Sequence, residues 1–357
     1  MRGGLFRLMS RWLPAPEPRP LPDLEKLERV LLVHVSQRIG NTLLVTPGLD
    51  TLLGRMRGAR VVFVGGPQAP AVLEGYGLER IEVVARSDWI RPWRFFRLLR
   101  RLRSERFDAA IHLGTSTRSI GPFLVGLSAA THRIGRQREG KGVFFTMPLA
   151  RSAARHKVDA ALDLVRSLGA PATGERRMLL RADEVADAED YLRARIGADS
   201  ERPIAFFVGA RARKGKDWPL SNFAAVADGV RARGIPLIVL LGPEEKARER
   251  EIRQAIGVAV YHEGEGVRAT AAIVACCGAV LSLDSGTMHL SLAVGAPTAA
   301  VFRKSNFDRW GPRLPHGEVI HDPEGTGAPR ALETLLRLYD GPRAASSRSE
   351  AVSRSCG

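Results

Sequence analysis

Three cysteines in 357 residues, two of them adjacent at Cys276 and Cys277, provide neither a disulfide framework nor the spacing of a metal site. The simplest setting for such a chain is a reducing compartment, the cytoplasm. Aromatic residues are scarce at 6%. With no finger, RNP-like or basic-zipper pattern, this argues for no nucleic acid among the partners. No apolar run reaches the ~18–20 residues that a membrane-spanning helix needs. Met1 to Leu13 mixes arginines with Leu, Phe, Met and Trp and then meets Pro14-Ala15-Pro16-Glu17-Pro18, so it lacks the uninterrupted core and cleavage site of a signal peptide. This arm, residues 1–28 in all, reads either as a frayed terminus or as an amphipathic foot on an anionic bilayer. Several chemistries are missing too. No G-x-G-x-x-G follows the first strand, which excludes a dinucleotide dehydrogenase, and there is no G-x-S-x-G elbow or HExxH helix. No Asp-x-Asp pair occurs to hold a divalent ion against a nucleotide sugar.

What is present suits two globular domains. The length exceeds one ordinary domain, and 45% hydrophobic with 26% charged residues is a soluble balance. The net charge of +16 is either an arginine bias spread over solvated faces or the mark of an anionic partner, phosphate or lipid. Strand-like apolar runs alternate with helix-length segments, the signature of an open α/β sheet. Strands are predicted at 30–35, 60–64, 81–85 and 109–113, with helices near 42–56, 68–76 and 92–106. In the last of these Phe95, Leu98, Leu99 and Leu102 share one face, and Arg94, Arg97 and Arg101 another. After a linker at Gly169-Ala170-Pro171-Ala172-Thr173-Gly174 the plan repeats. Strands are predicted at 204–208, 237–241, 258–261, 279–283 and 298–302, and helices near 221–233, 244–256, 268–277 and 287–294. The expected organisation is a lobe over 29–170, a second over 171–340, a cleft between them and a disordered tail over 341–357. In such sheets ligands bind beyond the carboxyl ends of the strands.

The most informative segment is Leu281-Ser282-Leu283-Asp284-Ser285-Gly286-Thr287-Met288-His289-Leu290. A strand ends in Asp-Ser-Gly and a helix opens, offering backbone N–H groups and a helix N-terminus to a phosphate. Asp284 either caps that helix or accepts hydrogen bonds from sugar hydroxyls. A second strand end, Phe206 to Arg211, runs into Arg213-Lys214-Gly215-Lys216-Asp217-Trp218-Pro219. Its four cations are either a solvated loop or the charge that neutralises a diphosphate leaving group without metal. Gly209 to Lys216 is no P-loop: it has five spacers where four are required, and Asp217 follows the lysine. Glu244 and Glu245 follow the strand end Leu241-Gly242-Pro243; they either complement a helix dipole or grip a ribose. The loop Ser36-Gln37-Arg38-Ile39-Gly40-Asn41-Thr42 is either an ordinary turn or part of the site.

Taken in order, these segments resemble glycosyltransferase family 9, the heptosyltransferases of the lipopolysaccharide inner core. Asp284-Ser285-Gly286-Thr287-Met288-His289-Leu290 resembles the family's D-[ST]-G-x-x-H-L, and Lys216-Asp217-Trp218-Pro219 its K-x-W-P. His156-Lys157-Val158-Asp159 is similar to its H-x-V-[ED], and Asp308-Arg309-Trp310-Gly311-Pro312 to the segment after the following strand. The likeness runs from about Arg29 to Leu338. It implies a GT-B fold of two Rossmann-like doubly wound lobes, and an inverting, metal-independent transfer of heptose from ADP-heptose to a lipopolysaccharide or other cell-envelope acceptor. It implies no cofactor; peripheral contact with the cytoplasmic face of the inner membrane is expected through basic faces such as Arg94, Arg97 and Arg101 and through the N-terminal arm. Donor contacts would come from Arg211, Lys216, Glu244, Glu245, Asp284, Ser285, Gly286, Thr287 and His289. One departure stands out: where the family's loop ends in Gly-Asp, its general base, this chain has Gly40-Asn41. An amide cannot take up a proton as a carboxylate does. Asn41 would then orient the acceptor, with His112 or Asp88 as substitute bases, or the chain would be a weak binding homologue. A sugar-nucleotide epimerase or hydrolase on the same scaffold is the remaining alternative.

Overall fold

A computed structural model describes residues 16–114, 120–136, 144–209 and 215–341. The expected N-terminal foot at 1–13, the tail beyond 341 and the cations Arg211, Arg213 and Lys214 lie outside the described residues. The chain forms two compact units that divide between Glu175 and Arg176.

In the first unit six strands form one parallel sheet: β1 (Arg29–His34), β2 (Arg60–Gly65), β3 (Arg80–Val83), β4 (Ala109–His112), β5 (His132–Arg136) and β6 (Met147–Leu149). Their order is β3-β2-β1-β4-β5-β6. In the second, β7 (Ile204–Phe207), β8 (Leu237–Leu241), β9 (Val260–Glu263), β10 (Ala279–Leu283), β11 (Thr298–Phe302) and β12 (Gly317–His321) run β12-β11-β10-β7-β8-β9, again all parallel. Counted from each lobe's own first strand the two orders are the same. It is the doubly wound order of dinucleotide-binding folds, so both units are Rossmann-like lobes. Strands covered on both faces must be apolar along their whole length. Val30 to Val33 and Val280 to Ser282 are accordingly fully buried. Each lobe has its own core, one around Leu31, Val62, Leu102 and Phe123, the other around Phe206, Phe223, Val239 and Leu281.

The structure adds helices beyond those expected, Gly121–Leu127, Lys157–Arg166 and Ala328–Asp340 among them, and departs from the expected elements elsewhere too. β5, β6 and β12 are strands that apolar patterning does not reveal. Met147-Pro148-Leu149 is three residues at a sheet edge, where a strand tolerates proline. The helix expected over 42–56 is two, Ile39–Leu43 and Leu49–Arg55. Pro47 cannot donate to a continuing helix, and Gly48 takes a left-handed φ of 75° at the break. A further long helix, Ala182–Ile196, follows the irregular stretch. Finally, the helix expected from 244 begins at Glu249, after a short 3-10 turn, so Glu244 and Glu245 precede it.

Candidate active site

In each sheet the strand order reverses at one pair of neighbours, β1 with β4 and β7 with β10. A crevice opens beyond the carboxyl ends of such a pair, because the connections leave on opposite faces.

In the second lobe the predicted residues gather there. β10 delivers Asp284, and the helix Gly286–Ala293 starts two residues on. Ser285 stands at the N-cap without a side-chain cap bond, and Asp284 does not cap the helix either. The Asp284 carboxylate instead pairs through Oδ2 with the Lys216 ammonium and accepts from Asn306 Nδ2 at 3.2 Å. Lys216 Nζ also donates to the Asp284 carbonyl at 3.3 Å. An ammonium has three donors, so one N–H of Lys216 remains without a partner among the described residues. Asp284 Oδ1 likewise accepts no hydrogen bond from a described residue. Ser285 Oγ and Thr287 Oγ1 lie 2.5 Å apart, and Thr287 Oγ1 is 3.2 Å from Ser282 Oγ. Ser285, Gly286 and Thr287 are all half-buried at the mouth of the helix.

Lys216 reaches Asp284 because the loop behind it is clamped. Asp322, only 5% exposed, accepts from Trp218 Nε1 at 2.6 Å and from the backbone N–H of Gly325, Thr326 and Gly327 at 2.9, 3.0 and 3.0 Å. Burial alone would push the Asp322 carboxyl up, but these bonds, with Trp218 foremost, outweigh it and hold it below the usual carboxylate range. Arg303 Nη1 adds a bond to the Asp217 carbonyl at 3.2 Å. The Trp-Pro of the motif is thus a structural anchor, and the lysine before it is the part turned to the site.

The two glutamates separate. Glu244 is exposed, whereas the Glu245 carboxylate folds back onto Gly242 N–H at 2.8 Å and lies against Gly209, where a Cβ would meet Glu245 Oε1 at 1.9 Å. Burial pushes the Glu245 carboxyl up against the pull of that hydrogen bond, and the charge of Glu244 adds to the rise. Its first partners are therefore the ends of β7 and β8, not a helix dipole. His289 sits one turn into the helix with its ring buried. Arg176 Nη1 donates to its Nδ1 at 2.9 Å, and Trp310 meets it edge-on at 6.4 Å. Arginine has no acceptor, so His289 accepts through Nδ1 in this contact. Sequence reasoning missed Asn306, four residues beyond β11 and just ahead of Asp308-Arg309-Trp310; an isolated asparagine in a loop carries no spacing signal.

The first lobe presents a different chemistry. Asn41 is exposed in the first turn of the helix Ile39–Leu43, and its loop is pinned to the sheet. Gln37 Nε2 donates to the Val84 carbonyl at 2.9 Å, and Gly66 lies so close that a Cβ there would fall 1.6 Å from the Ser36 carbonyl oxygen. Asp88 is engaged as a cap, accepting from Ala85 N–H at 2.8 Å and from Arg94 at 3.0 Å. Those contacts, the Ala85 bond first, hold its carboxyl low. His112 ends β4 and is buried, its ring stacked on Phe145 at 6.4 Å with planes 19° apart. Beside it His34 ends β1. Burial lowers both rings, His34 to about 4 despite the opposing Asn41 backbone, and His112 to about 3 with the charge of His34 as a second cause. Both are neutral at physiological pH.

On the outer side of this lobe the helix Pro92–Ser104 packs Leu98, Leu99 and Leu102 inward, with Phe95 partly buried against the core. Two of the three arginines expected on its free face are paired, Arg94 with Asp88 and Arg101 with Glu82. The exposed ridge is instead Trp93 (58%), Phe96 (64%), Arg97, Arg100 and Arg103. Among the described residues no helix is long and apolar enough to cross a membrane.

Comparison with known proteins adds the context. The family model described as glycosyltransferase family 9 (heptosyltransferase) matches residues 95–334. Lipopolysaccharide heptosyltransferase 2 of Escherichia coli strain K12 is 27% identical over 227 residues, 60% of this chain and 65% of that protein. The chain thus spans somewhat less than two thirds of the length of the curated relative it matches. Among solved structures, the glycosyl transferase family 9 protein of Veillonella parvula DSM 2008 superposes with a TM-score of 0.74 at 18% identity, covering 93% of this chain and 99% of that one. E. coli heptosyltransferase WaaC with ADP gives 0.70 at 18% identity, covering 87% and 99%. At that identity these two likenesses speak for the fold.

Proposed function

The chain belongs to glycosyltransferase family 9, and from that premise we propose that it transfers a heptose from ADP-heptose to a lipopolysaccharide or other cell-envelope acceptor, with inversion and without a metal. The carrying observation is the Lys216–Asp284 pair at the second lobe's switch point. Among the described residues it leaves one ammonium N–H and one carboxylate oxygen for a ligand, beside the N-terminus of the helix Gly286–Ala293. A diphosphate and a sugar need that combination. The Lys216 ammonium and the N–H groups of Ser285 to Thr287 bind the phosphates, with Arg211 assisting, while Asp284 Oδ1 accepts from the sugar hydroxyls. Glu244, which is exposed, takes the nucleoside, with Glu245 behind it. Lys216 then stabilises charge where it develops, on the departing diphosphate, which is the task a divalent ion performs elsewhere.

The first lobe takes the acceptor, with Asn41 orienting it. The lipid-linked nature of that acceptor accords with the ridge of Trp93, Phe96, Arg97, Arg100 and Arg103. Amphipathic aromatics beside cations suit the headgroup layer of an anionic bilayer, on the cytoplasmic face of the inner membrane.

The test is transfer by the purified chain from ADP-heptose to a lipid-linked core acceptor in excess EDTA, with the product's anomeric configuration read by NMR. Undiminished transfer and an inverted linkage are expected. Loss of activity on chelation, restored by magnesium or manganese, overturns the metal-free reading. Donor consumption without any glycosylated acceptor overturns transfer itself.

A further inference from the structure

The first lobe's switch point holds a group that the sequence motifs do not single out. β1 and β4 are the neighbours at which the strand order reverses, and each ends on a histidine, His34 and His112. The register pairs Val33 with His112, so His34 stands one residue beyond that pair, at the carboxyl ends of the strands where the crevice of such a sheet opens. Their nitrogens converge on Gly114. A Cβ there would meet His112 Nε2 at 2.8 Å and His34 Nδ1 at 3.3 Å, so the absent side chain leaves this spot to the imidazoles. The other nitrogen, His34 Nε2, is buried with no hydrogen-bond partner among the described residues. A buried polar atom without a partner is uncommon and needs a reason.

The geometry points to His34 as the catalytic residue that receives the proton of the acceptor hydroxyl. This rests on the transfer reading above. As the acceptor oxygen forms its bond to the anomeric carbon, its proton passes to a nitrogen of His34. The bond from that carbon to the phosphate oxygen breaks, and the nucleoside diphosphate leaves with the electron pair. The imidazolium then returns the proton to solvent, and the histidine is ready again. The other candidates are less suited: Asn41 has only an amide, the Asp88 carboxylate is bound by Ala85 N–H and Arg94, and His112 is 1% exposed whereas His34 is only half-buried. His34 is well placed, since the backbone of Asn41 acts directly on its ring. Its basicity also fits. Burial holds the imidazole at about 4, close to the ~3.9 of an ordinary aspartate, so it has the proton affinity of a carboxylate base. Unlike a carboxylate it carries no charge at neutral pH and does not repel the donor's diphosphate.

The experiment uses the full chain and compares His34→Ala and His34→Gln with wild type, folding being checked by circular dichroism and melting. Glutamine keeps hydrogen bonding without a basic nitrogen. We expect kcat to fall about a hundredfold or more in both, the range of a lost general base. The donor KM and the thermal shift given by ADP-heptose should stay unchanged. Added imidazole should restore part of the rate to His34→Ala and none to His34→Gln, where the space is filled. Turnover within about threefold of wild type in either folded variant overturns the assignment, since no base contributes so little. So does a loss in folded His34→Ala that imidazole leaves untouched. Failure of the broader reading has a different appearance: wild type itself then transfers nothing from ADP-heptose, and the assignment falls with it.

Discussion

Replacing Lys216 by methionine tests two roles that one side chain combines. Methionine keeps most of the aliphatic stem and removes only the charge. Asp284, 8% exposed, then remains as a carboxylate that has lost its cation among the described residues, while Asn306 still donates at 3.2 Å. Removing one partner of a fully buried ion pair costs ~3–5 kcal/mol. The Lys216 side chain is 22% exposed and Asn306 remains, so about 2–3 kcal/mol is the reasoned figure. Donor binding loses a charge-assisted hydrogen bond to phosphate, ~1.5–3 kcal/mol, or roughly 10- to 100-fold in affinity. The two losses separate in the double variant Lys216→Met/Asp284→Asn. With no buried charge left unpaired, stability should return to within about 1 kcal/mol of wild type, whereas donor affinity should not recover. Urea denaturation and titration with ADP-heptose read the two quantities. If the single variant is as stable as wild type, the pair does not exist in solution. If the double variant regains donor affinity with stability, Lys216 acts on structure alone and the phosphate assignment is wrong.

Asp322→Asn should destabilise the second lobe by about 2–4 kcal/mol at pH 7, because an amide cannot accept at both oxygens from Trp218 and three backbone amides. The sign with pH follows from a carboxyl held low in the folded state. Its contribution is complete above the unfolded value of ~3.9 and is lost as pH falls through the lower folded value, so the two melting curves should draw together below about pH 4; a gap that stays constant to pH 3 refutes the clamp. Trp93→Ser with Arg97→Glu and Arg100→Glu should abolish flotation with anionic vesicles, each cation near the surface contributing ~1 kcal/mol, while Arg94→Ala, which removes a cation already paired with Asp88, should change it little; equal effects refute the ridge.

The parts of the fold legible from sequence are those where one physical demand acts alone. β1, β7, β8, β10 and β11 are covered on both faces and therefore read as predominantly apolar runs, Ser282 and Thr298 being the buried polar residues in β10 and β11. β5, His-Arg-Ile-Gly-Arg, and the edge strand β12, Gly-Glu-Val-Ile-His, carry polar residues that hydrophobic patterning rejects; their pairing comes from the neighbouring strand. The site divides along the same line. Lys216 and Asp284 each stand in a recognisable motif, yet nothing in the spacing of two segments so far apart predicts that ammonium and carboxylate meet. That contact is a product of β7 lying beside β10. His34 is less visible still: a single histidine after four apolar residues looks like the end of a strand, and only parallel pairing with β4 reveals its neighbour. Glu245 shows the opposite error, since an acid ahead of a helix suggests a dipole partner, but a glycine at 209 gives its carboxylate a closer place.

The arrangement of strands also bears on how the protein is made. Every strand of the first sheet precedes every strand of the second along the chain, and in each sheet the earliest strand, β1 or β7, ends up in the interior with partners on both sides. A chain leaving the ribosome therefore presents a central template first. β2 and β3 add to one flank, then β4, β5 and β6 to the other, and the whole sheet is complete before β7 has been translated. Domains generally fold as units during synthesis, N-terminal first. Here no strand pairs with one from the other lobe, so the lobe that carries His34 and Asn41 is able to close its core while the lobe that carries Lys216 and Asp284 is still being synthesised.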